Sequence, residues 1–248
     1  MTLVMKFGGT SVGSAQAMRE TADLILNARE EWGQVVVVVS AMGSKPIKVT
    51  DLLLNGANTA LTGDPDTYQD LAHMLRQVHY EAIDGLLAPE GERQKVLAEN
   101  GKFIDRYEAL CQAVLALGEL TPRALDTIGG MGEQMSARIL AAYLRQIGHP
   151  AESVDATELV VTDDNFQAAT PLLDMTDAKT QARIRPLLAQ NTIPIITGFI
   201  AATQTGITTT LGRGGSDFSA ALMGQALHAD EVWIWTDVDG VMTADPRL

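Results

Sequence analysis

The 248-residue sequence is 46% apolar and 20% charged, the composition of a folded globular protein with material for one large or two modest domains. Its 31 acidic against 18 basic residues leave a net charge of −13, which argues against nucleic acid as a partner, because such binding leans on basic patches that release counterions. Apolar runs such as Val35 to Val39 fall far short of the roughly 20 residues a membrane helix needs, and a single cysteine, Cys111, excludes an internal disulfide.

No basic-then-apolar leader opens the sequence, so a cytoplasmic location with no membrane partner is expected. No Cys/His cluster has zinc spacing, and no protein-held metal is expected. Cys111 lies at helical spacing in EALCQAVLAL, where it reads as core filler.

The first segment, LVMKFGGTSVGS, is a short apolar run broken by Gly8-Gly9. In the QAMRETADLILNAREEW that follows, Met18, Ala22, Ile25 and Ala28 recur at helical spacing, which predicts strand, glycine turn and helix. Val35 to Ser40 is a β-branched run without polar alternation, as in a parallel strand covered on both faces. A largely helical middle follows, from about position 65 to 117. GGMGEQMSARILAAYLRQIG then reads as a glycine-rich entry and a helix stopped by Gly148. AESVDA predicts a strand, TDAKTQARIRPLLAQ a helix, IPIIT a strand, and GFIAATQTGITTT a looser β-rich stretch. LGRGGSDFSAALMGQAL is another glycine turn opening a helix, and EVWIWTD reads as the last strand, buried in character. Strands alternating with helices predict an α/β domain with a mainly parallel sheet, its helical middle forming a lobe over one end.

Three glycine turns share one expected design, each joining an apolar or β-rich run to a helix: Lys6 to Gly9, Gly129 to Glu133, and Gly212 to Asp217. Glycine lets backbone N–H groups approach a ligand, and a helix N-terminus adds partial positive charge, so such turns suit phosphate or carboxylate. The plain alternative is that each is only a tight turn. Familiar nucleotide signatures do not fit: Ser14 stands where a P-loop needs Lys, and Asp217 stands at the third glycine position of a dinucleotide fingerprint. Lys6 ends the first strand, at the rim where open parallel sheets bind ligands. Arg213 can grip a carboxylate with two prongs, while Glu133 and Asp217 stand at helix starts. Two cations and two carboxylates on glycine turns suit a small zwitterion beside a phosphate; the alternatives are helix capping and solvated surface charge.

KFGGTSV at Lys6 to Val12, Ser40-Ala41-Met42, Gly132 to Ser136, TTLGRGGSD at Thr209 to Asp217, and TDVDGVMTADPR at Thr236 to Arg247 closely resemble the catalytic domain of aspartokinases, in the amino acid kinase superfamily. The resemblance runs in unchanged order over residues 1–248. It implies a three-layer α/β sandwich and transfer of the ATP γ-phosphoryl group, with Mg²⁺ on the phosphates, to the side-chain carboxylate of L-aspartate. That is the first step of lysine, threonine and methionine biosynthesis from aspartate. By the same resemblance, Lys6 and Asp217 are catalytic. Ser40, Thr50, Glu133, Phe199, Arg213, Gly214, Gly215 and Ser216 bind aspartate. Lys6, Phe7, Gly8, Gly9, Thr236, Asp237, Gly240, Met242 and Arg247 bind ATP.

The family's pattern continues past DPR through a helix, a strand with a second phosphate-binding Lys, and regulatory ACT domains that build dimers. None of these is in residues 1–248, so the resemblance implies a catalytic domain lacking its C-terminal part, with weak or absent activity alone and a homodimer without ACT contacts. Two other readings stay open: a non-catalytic aspartate- or nucleotide-binding module, and a kinase for another small carboxylate or carbamate. The segment SKPIK before Thr50 is longer than the family's usual connection and brings Lys45 and Lys48 toward the expected pocket.

Overall fold

The computed structural model describes residues 1–44 and 47–235. Strand β1 (Thr2–Phe7) leads through the first glycine turn into α1 (Ala15–Trp32), and β2 (Gln34–Val39) returns beside β1. A small antiparallel hairpin, β3 (Gly43–Ser44) and β4 (Ile47–Lys48), runs directly into α2 (Val49–Leu61). Helices α3 (Pro65–Leu86), α4 (Glu92–Leu117), α5 (Pro122–Gly129) and α6 (Met131–Gln146) follow. Next come β5 (Ala151–Val154), a 3-10 turn at Ala156–Glu158, β6 (Val161–Thr162) and α7 (Leu173–Ala189). The described chain closes with β7 (Ile193–Thr197), β8 (Ile200–Thr203), β9 (Thr208–Thr210), α8 (Gly215–Leu227) and β10 (Glu231–Trp235).

Five strands form one parallel sheet in the order β10-β1-β2-β7-β5. The valine run of β2 shows why it is parallel and central. Val35, Val37 and Val39 enter the core shared with α1 and the helices α2 to α6, while Val36 and Val38 enter a second core under α7 and α8. A strand buried on both faces needs apolar residues at every position, as this one has. β6, β8 and β9 form a separate three-stranded sheet, so the loose β-rich stretch is a hairpin set beside the main sheet.

Local chemistry fixes the helix ends. Ser14 caps α1 by accepting from Ala17 N at 3.2 Å, and Gly33 ends it at φ 79°. Asp64-Pro65 and Thr121-Pro122 start α3 and α5 with a side-chain cap followed by proline at the first helical position. Met18, Ala22, Ile25 and Ala28 make the buried stripe of α1 as their spacing predicts.

Two expectations need correction. Gly129 to Glu133 does not join a strand to a helix: α5 ends at Gly129 and α6 begins at Met131, so the glycines permit a helix-to-helix junction. EVWIW is not buried: β10 pairs only with β1 among the described residues, and Val232 and Ile234 are 38% and 48% exposed. Its apolar residues still pack on one side, where Trp233 meets Trp32 edge-on at 5.8 Å. Among the described residues no helix is long and apolar enough to cross a membrane.

Candidate active site

A cavity of about 460 Å³ opens at the C-terminal rim of β1 and β2. One wall is the turn Gly8-Gly9-Thr10, a second is the end of β2 with the hairpin and α2 (Ser40 to Gly43, Lys48, Thr50), and a third is Glu133 with Phe199. The turn from Gly212 to Asp217 completes it.

The glycine turn is built by close approach. A Cβ on Gly9 would lie 2.9 Å from the Ala41 carbonyl oxygen, so no larger residue fits. Gly43 N donates to Gly9 O at 3.0 Å and Ser40 N to Phe7 O at 3.1 Å, fastening the two loops together. Lys6 is 8% exposed, and its ammonium lies 2.7 Å from Asp217 Oδ1. Asp217 occupies the first turn of α8, so one ion pair ties the end of β1 to a helix N-terminus, where a carboxylate is favoured by the helix dipole.

Glu133 stands in the first turn of α6 and is 4% exposed. Burial pushes its carboxyl up to about 8, partly offset by the backbone N–H groups of Ala41 and of Glu133 itself. Its Oε2 has no hydrogen-bond partner among the described residues. A buried acceptor left open at a cavity wall is a place for a ligand's donor. The helix that carries it is held firmly: Ser136 Oγ donates to Ser40 O at 2.7 Å, and Arg138 makes a two-pronged pair with Asp155 at 2.9 and 3.1 Å. Gln134 reaches the same carboxylate at 2.8 Å.

Phe199 adopts φ 67°, a left-handed conformation that costs a non-glycine residue free energy. Its N–H donates to Ser219 Oγ at 3.0 Å and its carbonyl accepts from Leu211 N at 2.9 Å, so α8 and β9 hold the strained residue against the cavity. Gly214, at φ 76°, precedes α8 and lets the chain coil so that Arg213, Ser216 and Asp217 all reach the same space. Behind this wall, Asp126 on α5 is 2% exposed and accepts from Gln167 N and from both Thr210 N and Oγ1. Its desolvation raises the carboxyl's pKa, against these hydrogen bonds.

Lys6, Gly8, Gly9, Ser40, Thr50, Glu133, Phe199, Arg213, Gly214, Gly215, Ser216 and Asp217 thus line one cavity. Phe7 does not: its ring is fully buried and stacks on Trp235 at 6.1 Å, leaving only its backbone near the cleft. An alternating strand that turns Lys6 outward to the rim turns its neighbour into the core. Thr236, Asp237, Gly240, Met242 and Arg247 lie outside the described residues, as does Lys45. Sequence reasoning missed Thr10, Ala41, Met42 and Gly43 as wall residues, although they fall in or beside the quoted motifs, and it missed Asp126 altogether.

A model of the amino acid kinase family matches residues 1–248. Aspartokinase 3, chloroplastic, of Arabidopsis thaliana is 38% identical over 256 residues, spanning 100% of this chain and 43% of that protein. The Arabidopsis bifunctional aspartokinase/homoserine dehydrogenase 1, chloroplastic, is 35% identical over 98% of this chain and 26% of its own length. The chain therefore spans less than half the length of these relatives. The crystal structure of E. coli aspartokinase III in complex with aspartate and ADP superposes with a TM-score of 0.87 at 32% identity, covering 100% of this chain and 52% of that one. With a family model matching residues 1–248 and the E. coli structure superposing over all of it, this chain belongs to the amino acid kinase family.

Proposed function

We propose that this chain is the catalytic domain of an aspartokinase, which transfers the γ-phosphoryl group of ATP to the side-chain carboxylate of L-aspartate. The observation that carries this reading is the convergence of Lys6, Glu133, Arg213 and Asp217 on one cavity, from three segments separated along the chain. The relatives' names and the aspartate and ADP of the E. coli complex point the same way.

A carboxylate oxygen of aspartate attacks the γ-phosphorus, and a phosphorus–oxygen bond forms. The bond from that phosphorus to the β,γ-bridging oxygen breaks, and its electron pair leaves with ADP. The nucleophile is already ionised, so no proton is moved, and the task is to align two anions and neutralise charge. In this reading Lys6 and the Gly8 and Gly9 amides meet the transferring phosphoryl, while Asp217 fixes the Lys6 ammonium. Arg213 takes the α-carboxylate of aspartate, and Glu133 takes the ammonium. Thr50, Ser40, Phe199 and Ser216 shape the pocket around it. In this reading Mg²⁺ enters with the nucleotide, held by its phosphates and water rather than by a protein cage.

The proposal extends to residues 1–248 as one catalytic domain, its lobe at 65–117, working within a longer homodimeric protein. It also keeps the cytoplasmic location, beside relatives whose names are chloroplastic. In the full-length protein, Arg213→Ala is expected to weaken aspartate binding by about tenfold or more, the scale of losing a hydrogen bond between charged groups. Calorimetric titration reads it, with a turnover assay over a panel of small carboxylates alongside; unchanged aspartate affinity would sink the pocket assignment.

A further inference from the structure

The two glycines of the first turn are flanked by two lysines. On one side, the Lys6 ammonium lies 3.7 Å from where a Gly8 Cβ would stand. On the other, the stem of Lys48 lies over Gly43, whose own Cβ position is 3.8 Å from both Lys48 Cγ and Gly9 Cα. Lys48 ends the hairpin, paired with Gly43 across β3 and β4, and Val49 N donates to Met42 O at 3.0 Å. Its backbone is therefore fixed beside the turn although its side chain is exposed. Two residues on, Thr50 lines the same cavity, so the junction of hairpin and α2 turns both side chains to one place.

The ionic pairing of the two lysines differs. Lys6 is matched by Asp217 at 2.7 Å, whereas Lys48 makes no ion pair among the described residues. Lys48 also stands at the N-terminus of α2, where the helix dipole adds positive potential and offers a cation no compensation. An uncompensated ammonium beside a glycine turn and a helix start is arranged for an anion. A surface lysine with only a solubilising role would not need its stem packed along the cavity wall.

We propose that Lys48 is a second phosphate-contacting cation of the cleft, which reaches the transferring phosphoryl group of the nucleotide from the hairpin wall while Lys6 meets it from β1. This rests on the kinase reading above and deepens it. In the transfer, charge spreads over the peripheral oxygens of the phosphoryl group, and a cation on each flank of the Gly8-Gly9 turn stabilises that charge. Lys48 sits where the hairpin meets α2, so the position of this junction sets how well the phosphoryl group is held.

The test uses the full-length protein with Lys48→Met, Lys48→Arg and, as a control on the remote helix α4, Lys102→Met. Lys48→Met is expected to lower kcat by about 100-fold or more, the scale of losing one donor to a developing anion, with the KM for aspartate within about twofold. Lys48→Arg is expected to recover most of that loss, and Lys102→Met to change nothing. Titration with a non-hydrolysable ATP analogue is expected to show Lys48→Met binding about tenfold more weakly, even if a carboxylate other than aspartate is the acceptor. Failure of the aspartate assay in the unmodified protein would count against the kinase assignment, while the nucleotide titration still judges Lys48. Unchanged nucleotide affinity and kcat in Lys48→Met overturn the inference. So does equal damage by Met and Arg together with lost aspartate binding, which would mark a hairpin that merely holds shape.

Discussion

Glu133, neutral at pH 7 in the free protein because burial lifts its carboxyl from 4.5 to about 8, must ionise to hold an ammonium. Its folded-state value lies above its unfolded value, so the stability it contributes is fully present below pH 4.5 and is lost as pH rises through about 8. Between those limits the free protein with Glu133 should lose about 4 kcal/mol relative to Glu133→Gln, as read from urea unfolding at several pH values. An identical pH slope in the two proteins would refute the burial argument. In the proposed kinase, aspartate binding should also release close to one proton at pH 7, seen as a binding enthalpy that changes with the buffer's ionisation enthalpy. Glu133→Gln should abolish that dependence. At this scale much of the site was legible in sequence, because Lys6, Arg213 and Asp217 sit in contiguous motifs on glycine turns. The pKa of Glu133 was not legible, since it depends on how Ala41 and α6 close around the carboxyl.

Among the elements, α5 carries the connection that sequence reading did not find. Asp126 is a buried carboxylate with no ion pair among the described residues, and it joins α5 to β9 and to the loop at Gln167 through four hydrogen-bond contacts. β9 leads directly to Gly212 and Arg213, so this carboxylate sets the base of the cavity wall that carries Arg213. Asp126→Ala leaves Thr210 and Gln167 donors unpaired and should cost about 2 to 4 kcal/mol. If the proposed kinase reading holds, it should also raise the aspartate KM more than it lowers kcat; a thermal melt and steady-state kinetics check both, and an unchanged KM would reduce Asp126 to a purely structural tie. Helices with periodic apolar stripes, such as α1, were readable from local spacing. The hairpin β3–β4, the short α5 and the separate sheet of β6, β8 and β9 were not, because their two- to eight-residue elements depend on partners distant in sequence.

For the whole molecule, two cores share one sheet, and β1, β2 and β7 each have a strand on both sides and apolar packing on both faces. Their amides should exchange with deuterium most slowly, ahead of those of α3 and α4 in the helical lobe, since core strands open only with the whole fold. Mass-spectrometric exchange would contradict this if lobe peptides outlasted the strands. The pairing of β1 with β10 also sets an order of events during synthesis. Thr2 N donates to Asp230 Oδ2 at 2.7 Å across a separation of 228 residues. At about 5 to 20 residues per second, the ribosome takes roughly 10 to 45 s to deliver β10 after β1 has emerged. Through that interval β1 has one bare edge, a strand whose Leu3, Val4 and Met5 are consecutive buried apolar residues, open to the wrong partner. The nascent chain therefore needs its first strand shielded until nearly all of the described residues have been made.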